Sequence, residues 1–260
     1  MGLIDSHAHL TYPELAGDLE GVLARSAQAG VDRIITIGTD PDDARKALEL
    51  SKRFAGRIHA AAGLHPHHAK QASEATVEQF AEWWASGAVV AAGEIGLDYH
   101  YDFAARELQR NVFAGQLVRA KPLDLPLIIH CREAFDDLVP MLVDHGFKGR
   151  RVVFHCFTGS AEEAGLVAEL GWRISFTGIV TFKKSVWLHD IARTYPSDSL
   201  MIETDSPYLS PEPVRGKTPN EPAHVLHVAR FLANLRGIDF SDFVEQTERN
   251  TREFFKLAEV

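Results

Sequence analysis

Short apolar runs, each long enough for one strand, alternate along this chain with amphipathic stretches long enough for a helix. The runs are residues 3–9, 31–38, 58–64, 89–95, 127–131, 152–156, 172–177 and 200–204. Most are β-branched or otherwise apolar throughout, as parallel strands covered on both faces must be. Helical stretches such as 19–29, 42–54, 77–85, 104–120 and 134–145 lie between them, and Gly30, Gly146 and Gly171 stand where glycines close helices. A proline-rich loop, 206–222, and two helices near 223–235 and 239–256 follow the eighth run. Eight strand–helix units with no break in composition predict an α/β fold, a single (β/α)8 TIM-type barrel spanning residues 1–260 as one domain. A doubly wound open sheet is the competing topology. The absence of a Gly-x-Gly-x-x-Gly turn after the first strand weighs against it.

In such barrels the reacting groups stand at the C-terminal ends of the strands. Reading those ends gives His7, His9, His65, Glu94, His130, His155 and Asp205, drawn from six strands. Isolated ionisable groups would be costly inside an apolar barrel, and coordination of a cation removes that cost. Imidazole with carboxylate suits Zn, Mn, Fe, Co or Ni, with Mg admitted where carboxylates and waters dominate. Two cations about 3.5–4 Å apart need a shared ligand. Glu94, from the middle of the strand order, is the candidate, with His7, His9 and Asp205 on one ion and His130 with His155 on the other. His59, His100, His145, His189, His224 and His227 are read as ordinary core or surface residues, and His67 and His68 as loop residues.

Side chains alternate along a strand, so Asp5 shares a face with His7 and His9, and Glu203 with Asp205. Asp5 and Glu203 then lie one layer deeper, supporting the ligands, with Glu203 also able to reach a metal. The same alternation turns Cys131 and Cys156 outward, as small buried packing residues. Arg132 shares the face of His130 nearer the mouth, where a guanidinium can hold a phosphate oxygen. Arg215 and Lys217 are weaker candidates for the same task.

The formal net charge of −9 excludes a broad, sequence-blind nucleic-acid binder but not local handling by metals and a few arginines. Two cysteines without a disulfide framework, no signal-peptide pattern and no long apolar run predict a cytoplasmic protein with no membrane span. The first six residues, Met1 to Ser6, fit a myristoylation pattern, but that pattern is permissive and Gly2 is read as starting a strand.

The motif blocks, in order, are Asp5-Ser6-His7-Ala8-His9-Leu10, Gly63-Leu64-His65-Pro66, Gly93-Glu94-Ile95-Gly96-Leu97-Asp98-Tyr99 and Ile129-His130-Cys131-Arg132. His155-Cys156-Phe157-Thr158-Gly159, Glu203-Thr204-Asp205-Ser206-Pro207-Tyr208-Leu209 and Asn220-Glu221-Pro222 complete them. Together they resemble the TatD-type metal-dependent deoxyribonucleases over essentially the whole chain. The resemblance implies an amidohydrolase-related barrel in which His7, His9, Glu94, His130, His155 and Asp205 bind two, sometimes three, divalent cations, with His65 and Glu203 in or beside the cluster. It also implies a cytosolic nuclease supported by Mg or Mn, often a 3′-to-5′ exonuclease on single-stranded DNA.

Two departures are visible: a proline at 122 where relatives usually continue a helix, and a loop at 215–220 one residue longer than the common form. Neither touches a ligand, though the second borders the substrate mouth. The expected reaction is phosphodiester hydrolysis with Asp205 as general base and Arg132 steadying phosphate charge. A metal-dependent amidohydrolase or esterase, such as an aminoacyl-tRNA deacylase, is the alternative. A lysine at the bridging position would have favoured it. A non-catalytic metal-binding scaffold is the third reading, and Asp205 argues against it.

Overall fold

The protein's structure, a computed structural model, describes residues 2–258. The chain runs β1 (Leu3–Ala8), α1 (Pro13–Ala16), α2 (Leu19–Gln28), β2 (Val31–Gly38), α3 (Pro41–Arg53), β3 (Ile58–Ala62), α4 (Glu74–Ala85), β4 (Ala91–Asp98) and α5 (Arg106–Ala120). It continues through β5 (Leu127–Arg132), α6 (Phe135–Asp144), β6 (Val152–Phe154), α7 (Ala161–Glu169), β7 (Arg173–Phe176), α8 (Val186–Thr194), β8 (Leu200–Ile202), α9 (Val225–Arg236) and α10 (Phe240–Phe255). Local signals set many of these limits. The Asp40 carboxylate accepts from the N–H groups of Asp42 and Asp43, with Pro41 opening α3, and Ser160 with Glu163 forms a capping box on α7.

All eight strands are parallel and lie in sequence order in one sheet. The sheet nearly closes on itself: His7 and Ser206 carbonyls accept from the N–H groups of Asp205 and His9 at 2.9 and 2.8 Å. This is the (β/α)8 barrel read from the alternation. Gly2 lies buried just ahead of β1, while Met1, where the acylation pattern begins, is outside the described residues.

Inside the barrel one apolar layer holds Ile4, Ile35, Ile37, Ala61, Ala91, Ile128, Val153 and Met201, with Phe254, Phe255 and Leu257 beneath it from the end of α10. Counting by twos from that layer leads to His130 and Arg132 on β5, His155 beyond β6, and Glu203 beyond β8. It does not lead to His7 from Ile4 or to Glu94 from Ala91. Each of these strands carries one extra residue: β1 between Asp5 and Ala8, where β2 advances from Ile34 to Thr36, and β4 between Ala92 and Ile95, where β5 advances from Leu127 to Ile129. Such a bulge switches the face of every later side chain. The expectation that Asp5 shares the face of His7 is therefore corrected. Ile4 fills the interior, and the Asp5 carboxylate is taken by the N–H and hydroxyl of Thr204 at 2.9 and 2.5 Å. Burial pushes the Asp5 carboxyl up to about 8, although the Thr204 hydrogen bonds oppose the shift.

Glycines let β4 come close to β5. A Cβ at Gly96, whose φ is +146°, would lie 2.0 Å from the His130 carbonyl oxygen, and one at Gly93 would lie 2.6 Å from the Ile128 Cβ. Only the missing side chain allows Glu94 to be brought against His130 in this way.

Candidate metal centre

Four imidazoles from four strand ends surround one carboxylate. His130 Nδ1 and His155 Nε2 each lie 2.6 Å from Glu94 Oε1, His65 Nε2 lies 3.3 Å from the same oxygen, and His7 Nε2 is 3.4 Å from Oε2. Asp205 Oδ1 is 3.3 Å from His9 Nε2 and 3.7 Å from His7 Nε2. Glu203 closes the floor: its carboxylate accepts from the Cys156 N–H and the Ser175 hydroxyl, both at 2.6 Å, and lies 3.4 Å from His155 Nδ1. All eight candidate ligand residues thus meet at one end of the barrel. His7, Glu94 and Glu203 are almost fully buried.

Asp205 does not end a strand, as the sequence suggests. It lies three residues beyond β8 with φ +52°, so its aim is set by a left-handed turn rather than by strand alternation. Cys156 also departs from expectation. It follows β6 by two residues with φ +45°, and its thiol meets the Thr177 hydroxyl at 3.5 Å instead of packing outward. Burial, with the charges of Asp205 and Glu203, pushes this thiol well above its ordinary range. Cys131 packs against the outer core as expected, burial raising its thiol to about 12. Both thiols are free.

Two residues in the cluster were not singled out. Asp98, at the end of β4, places Oδ2 2.9 Å from both His130 Nε2 and His67 Nε2. His67, read as a loop residue, is carried back over the barrel by a 3-10 turn that begins at Pro66. The signal for Asp98 was available: it is a carboxylate four residues past Glu94, at the C-terminal end of the same strand.

The donor set fits divalent cations. Among the described residues, His7 makes no hydrogen bond through either ring nitrogen despite full burial, and His9 and His155 each leave Nδ1 without one. Buried unsatisfied groups of this kind cost about 1–3 kcal/mol each, a penalty that coordination relieves. Nitrogen and oxygen atoms close enough to share an ion fall into four overlapping sets: His7–His9–Glu94, Glu94–His130–His155, His7–His155–Glu203 and His65–His67–His130.

Electrostatics divides the rings. Burial, joined by the charge of His155, keeps His7 below its usual range, and burial drives His65 down to about 3, so both rings are neutral as ligands require. Burial disfavours ionised Glu94, but His155 and His65 outweigh it and hold the carboxyl well below its usual range. Burial likewise opposes charge on His155, yet Glu94 and Glu203 raise it well above the ordinary value.

Beside His155 opens a cleft of about 820 Å³, lined also by Arg106, Arg132, Phe157 and Trp187. Arg132 stands 4.7 Å over the Tyr101 ring. Arg215 instead covers Phe182 at 4.0 Å, and Lys217 meets the Ser210 hydroxyl only through its backbone carbonyl.

A (β/α)8 barrel with a buried histidine–carboxylate cluster at its strand ends defines a metal-dependent barrel hydrolase. The model of the TatD related DNase family matches residues 4–256, and the chain belongs to that family. It is 38% identical to the uncharacterized metal-dependent hydrolase YabD of Bacillus subtilis, over 98% of this chain and 99% of that one. It is 33% identical to the 3′-5′ ssDNA/RNA exonuclease TatD of Pectobacterium carotovorum, over 98% and 100% of the two chains. Among solved structures it resembles the TatD homologue YjjV of Escherichia coli, with a TM-score of 0.92, 33% identity and 98% of each chain covered. No helix among the described residues is long and apolar enough to cross a membrane.

Proposed function

We propose that this chain, acting as one catalytic domain over residues 1–260, hydrolyses phosphodiester bonds of single-stranded DNA stepwise from the 3′ end. The observation that carries the reading is the convergence of four histidines on Glu94, three of them buried and His130 half-buried, with Asp205 beside them and Arg132 at the mouth. A relative named as a single-strand exonuclease, matched end to end, supports the substrate class and polarity.

His7, His9, Glu94 and Asp205 would hold one divalent cation, and Glu94, His130 and His155 a second, with His65 and Glu203 adjoining. Mg or Mn is the proposed working metal, with Zn, Fe, Co or Ni also suited to this donor set. Such cations polarise the phosphoryl group and make water more acidic.

The chain's own groups do the rest. Asp205 accepts the proton that water loses as its oxygen bonds to phosphorus. Burial opposes ionisation, but the hydrogen bond from His9 and the charges of His7, His9 and His155 together keep Asp205 below the usual carboxylate range, hence ionised before the step. Arg132 donates to the phosphoryl oxygens as charge grows on them. The bond from phosphorus to the 3′ oxygen breaks, that oxygen takes a proton from solvent as it leaves, and Asp205 then returns its own proton to solvent. Glu203 holds the His155 ring and the Cys156 backbone in place. The reaction is placed in the cytoplasm, for which the two free thiols are the support.

The test is incubation of purified protein with 3′- and 5′-labelled single-stranded DNA, an aminoacyl ester and an amide panel, with Mg, Mn or Zn added separately. The expected result is stepwise loss of the 3′ label. Cleavage of the ester or amide with DNA left intact would replace this reading with the amidohydrolase one.

A further inference from the structure

The cleft beside His155 extends past the cluster to residues of α5, α6 and α8. Arg132 and Arg106 both line it. Among the described residues neither guanidinium has a carboxylate within ion-pair distance. Each lies on an aromatic face instead: Arg132 over Tyr101 at 4.7 Å and Arg106 over Tyr99 at 4.4 Å. A stacked guanidinium keeps its N–H edge free, and that edge matches the oxygens of a phosphate. Most of the cleft's own carboxylates are already engaged. Glu133 pairs with His100 at 2.7 Å, Asp137 accepts from Tyr99 and Arg110, and Glu163 closes the cap of α7. Asp136, in the first turn of α6, is the exception.

The other wall carries Trp187. Helix α8 buries Leu188, Ile191 and Ala192 but leaves Trp187 51% exposed, so packing does not account for the indole. It stands on the rim of the same cleft as His155 and the two arginines. A volume of about 820 Å³ lies within the range that encloses a small-molecule-sized ligand. Two free guanidinium edges, an exposed indole and continuity with the reacting end describe one kind of occupant, a further nucleotide of a single strand. An indole face stacks on any base and so accepts a substrate without sequence preference.

We propose that the outer cleft is a subsite for the nucleotide next to the scissile phosphate, with Arg106 on its phosphate and Trp187 against its base. The proposal rests on the phosphodiesterase reading and assigns the residues that make the protein prefer a strand over a small ester.

The test has two readouts on the Mg-loaded full chain. The first is tryptophan fluorescence during titration with phosphorothioate-linked oligothymidylate, which resists hydrolysis. Trp84 and Trp172 are buried and Trp83 is half-buried, so a quench should come from Trp187 and most of it should vanish in Trp187→Phe. The second is the ratio of kcat/KM for oligothymidylate to that for bis(p-nitrophenyl) phosphate. Trp187→Ala and Arg106→Ala should each lower that ratio about tenfold, chiefly through KM on the oligomer, while Trp187→Phe keeps it. An unchanged quench in Trp187→Phe, or an unchanged ratio in both alanine variants, overturns the subsite. DNA hydrolysis with both variants unaltered would leave the proposed reaction standing without it. A Trp187-dependent quench in a protein that cleaves no phosphodiester would sink the reaction and keep the subsite.

Discussion

The inner cluster and the outer cleft are adjacent yet built on opposite principles. Inside, His7, His9, Glu94, His155 and Glu203 are buried within a few ångströms of one another, and several ring nitrogens lack any hydrogen-bond partner. Outside, Arg106 and Arg132 rest on aromatic rings, and among the described residues neither makes an ion pair with a carboxylate. Several inner groups have unmet hydrogen-bonding capacity. The outer groups have room and charge but nothing able to activate water. The difference separates two tasks. On the proposed reading, water activation belongs to the cluster and strand recognition to the cleft, with Arg132 standing where the two meet, and substitutions in the two regions should fail in different ways.

The largest loss is expected at Glu94. Glu94→Gln removes the charge that four histidines face, so bound metal should fall and the rate should drop by more than about four decades, beyond what loss of one general base explains. Elemental analysis with single-turnover kinetics checks both. A variant that keeps its metals and most of its rate would remove Glu94 from the centre.

Asp205→Asn keeps an oxygen donor but cannot take a proton. Much of the metal should remain while the rate falls about two to four decades. Glu203→Gln weakens the support of His155 and the Cys156 backbone and should cost about 10- to 100-fold in metal affinity or rate. If Glu203→Gln is the deader enzyme and Asp205→Asn stays near wild type, the two roles are reversed.

The smallest effect belongs to the cleft. Arg132→Ala should leave metal content unchanged and slow phosphodiester turnover by roughly 10- to 100-fold, the equivalent of one charge-assisted contact of about 1.5–3 kcal/mol. Metal loss in this variant would show that cluster and cleft are not separable.

The barrel was legible because most strands are apolar on both faces, so the period of the chain itself carries the topology. The cluster was legible where alternation runs unbroken from the interior layer, through Ile128 to His130, Val153 to His155 and Met201 to Glu203. On β1 and β4 the sequence names residues that the structure does bring into the cluster, but for an incomplete reason. His7 and Glu94 reach the site through an extra residue in each strand, and an insertion into one ladder leaves no mark in a single strand's own pattern. Asp98 and His67 were missed because their partnership spans β4 and the turn after β3, a contact that no spacing within either segment announces.

Metal dependence is settled by one measurement on the unaltered chain: single-turnover cleavage of 3′-labelled single-stranded DNA by protein stripped of metal, verified by elemental analysis, before and after addition of Mg or Mn. A cluster with so many buried nitrogens lacking partners should give no cleavage when stripped and full recovery on addition. The melting temperature should rise alongside by several degrees, since ligand at about 100 times its dissociation constant adds about 2.7 kcal/mol. Full cleavage by the stripped protein, with no change in melting temperature on adding either metal, would contradict the assignment of this cluster as a metal centre.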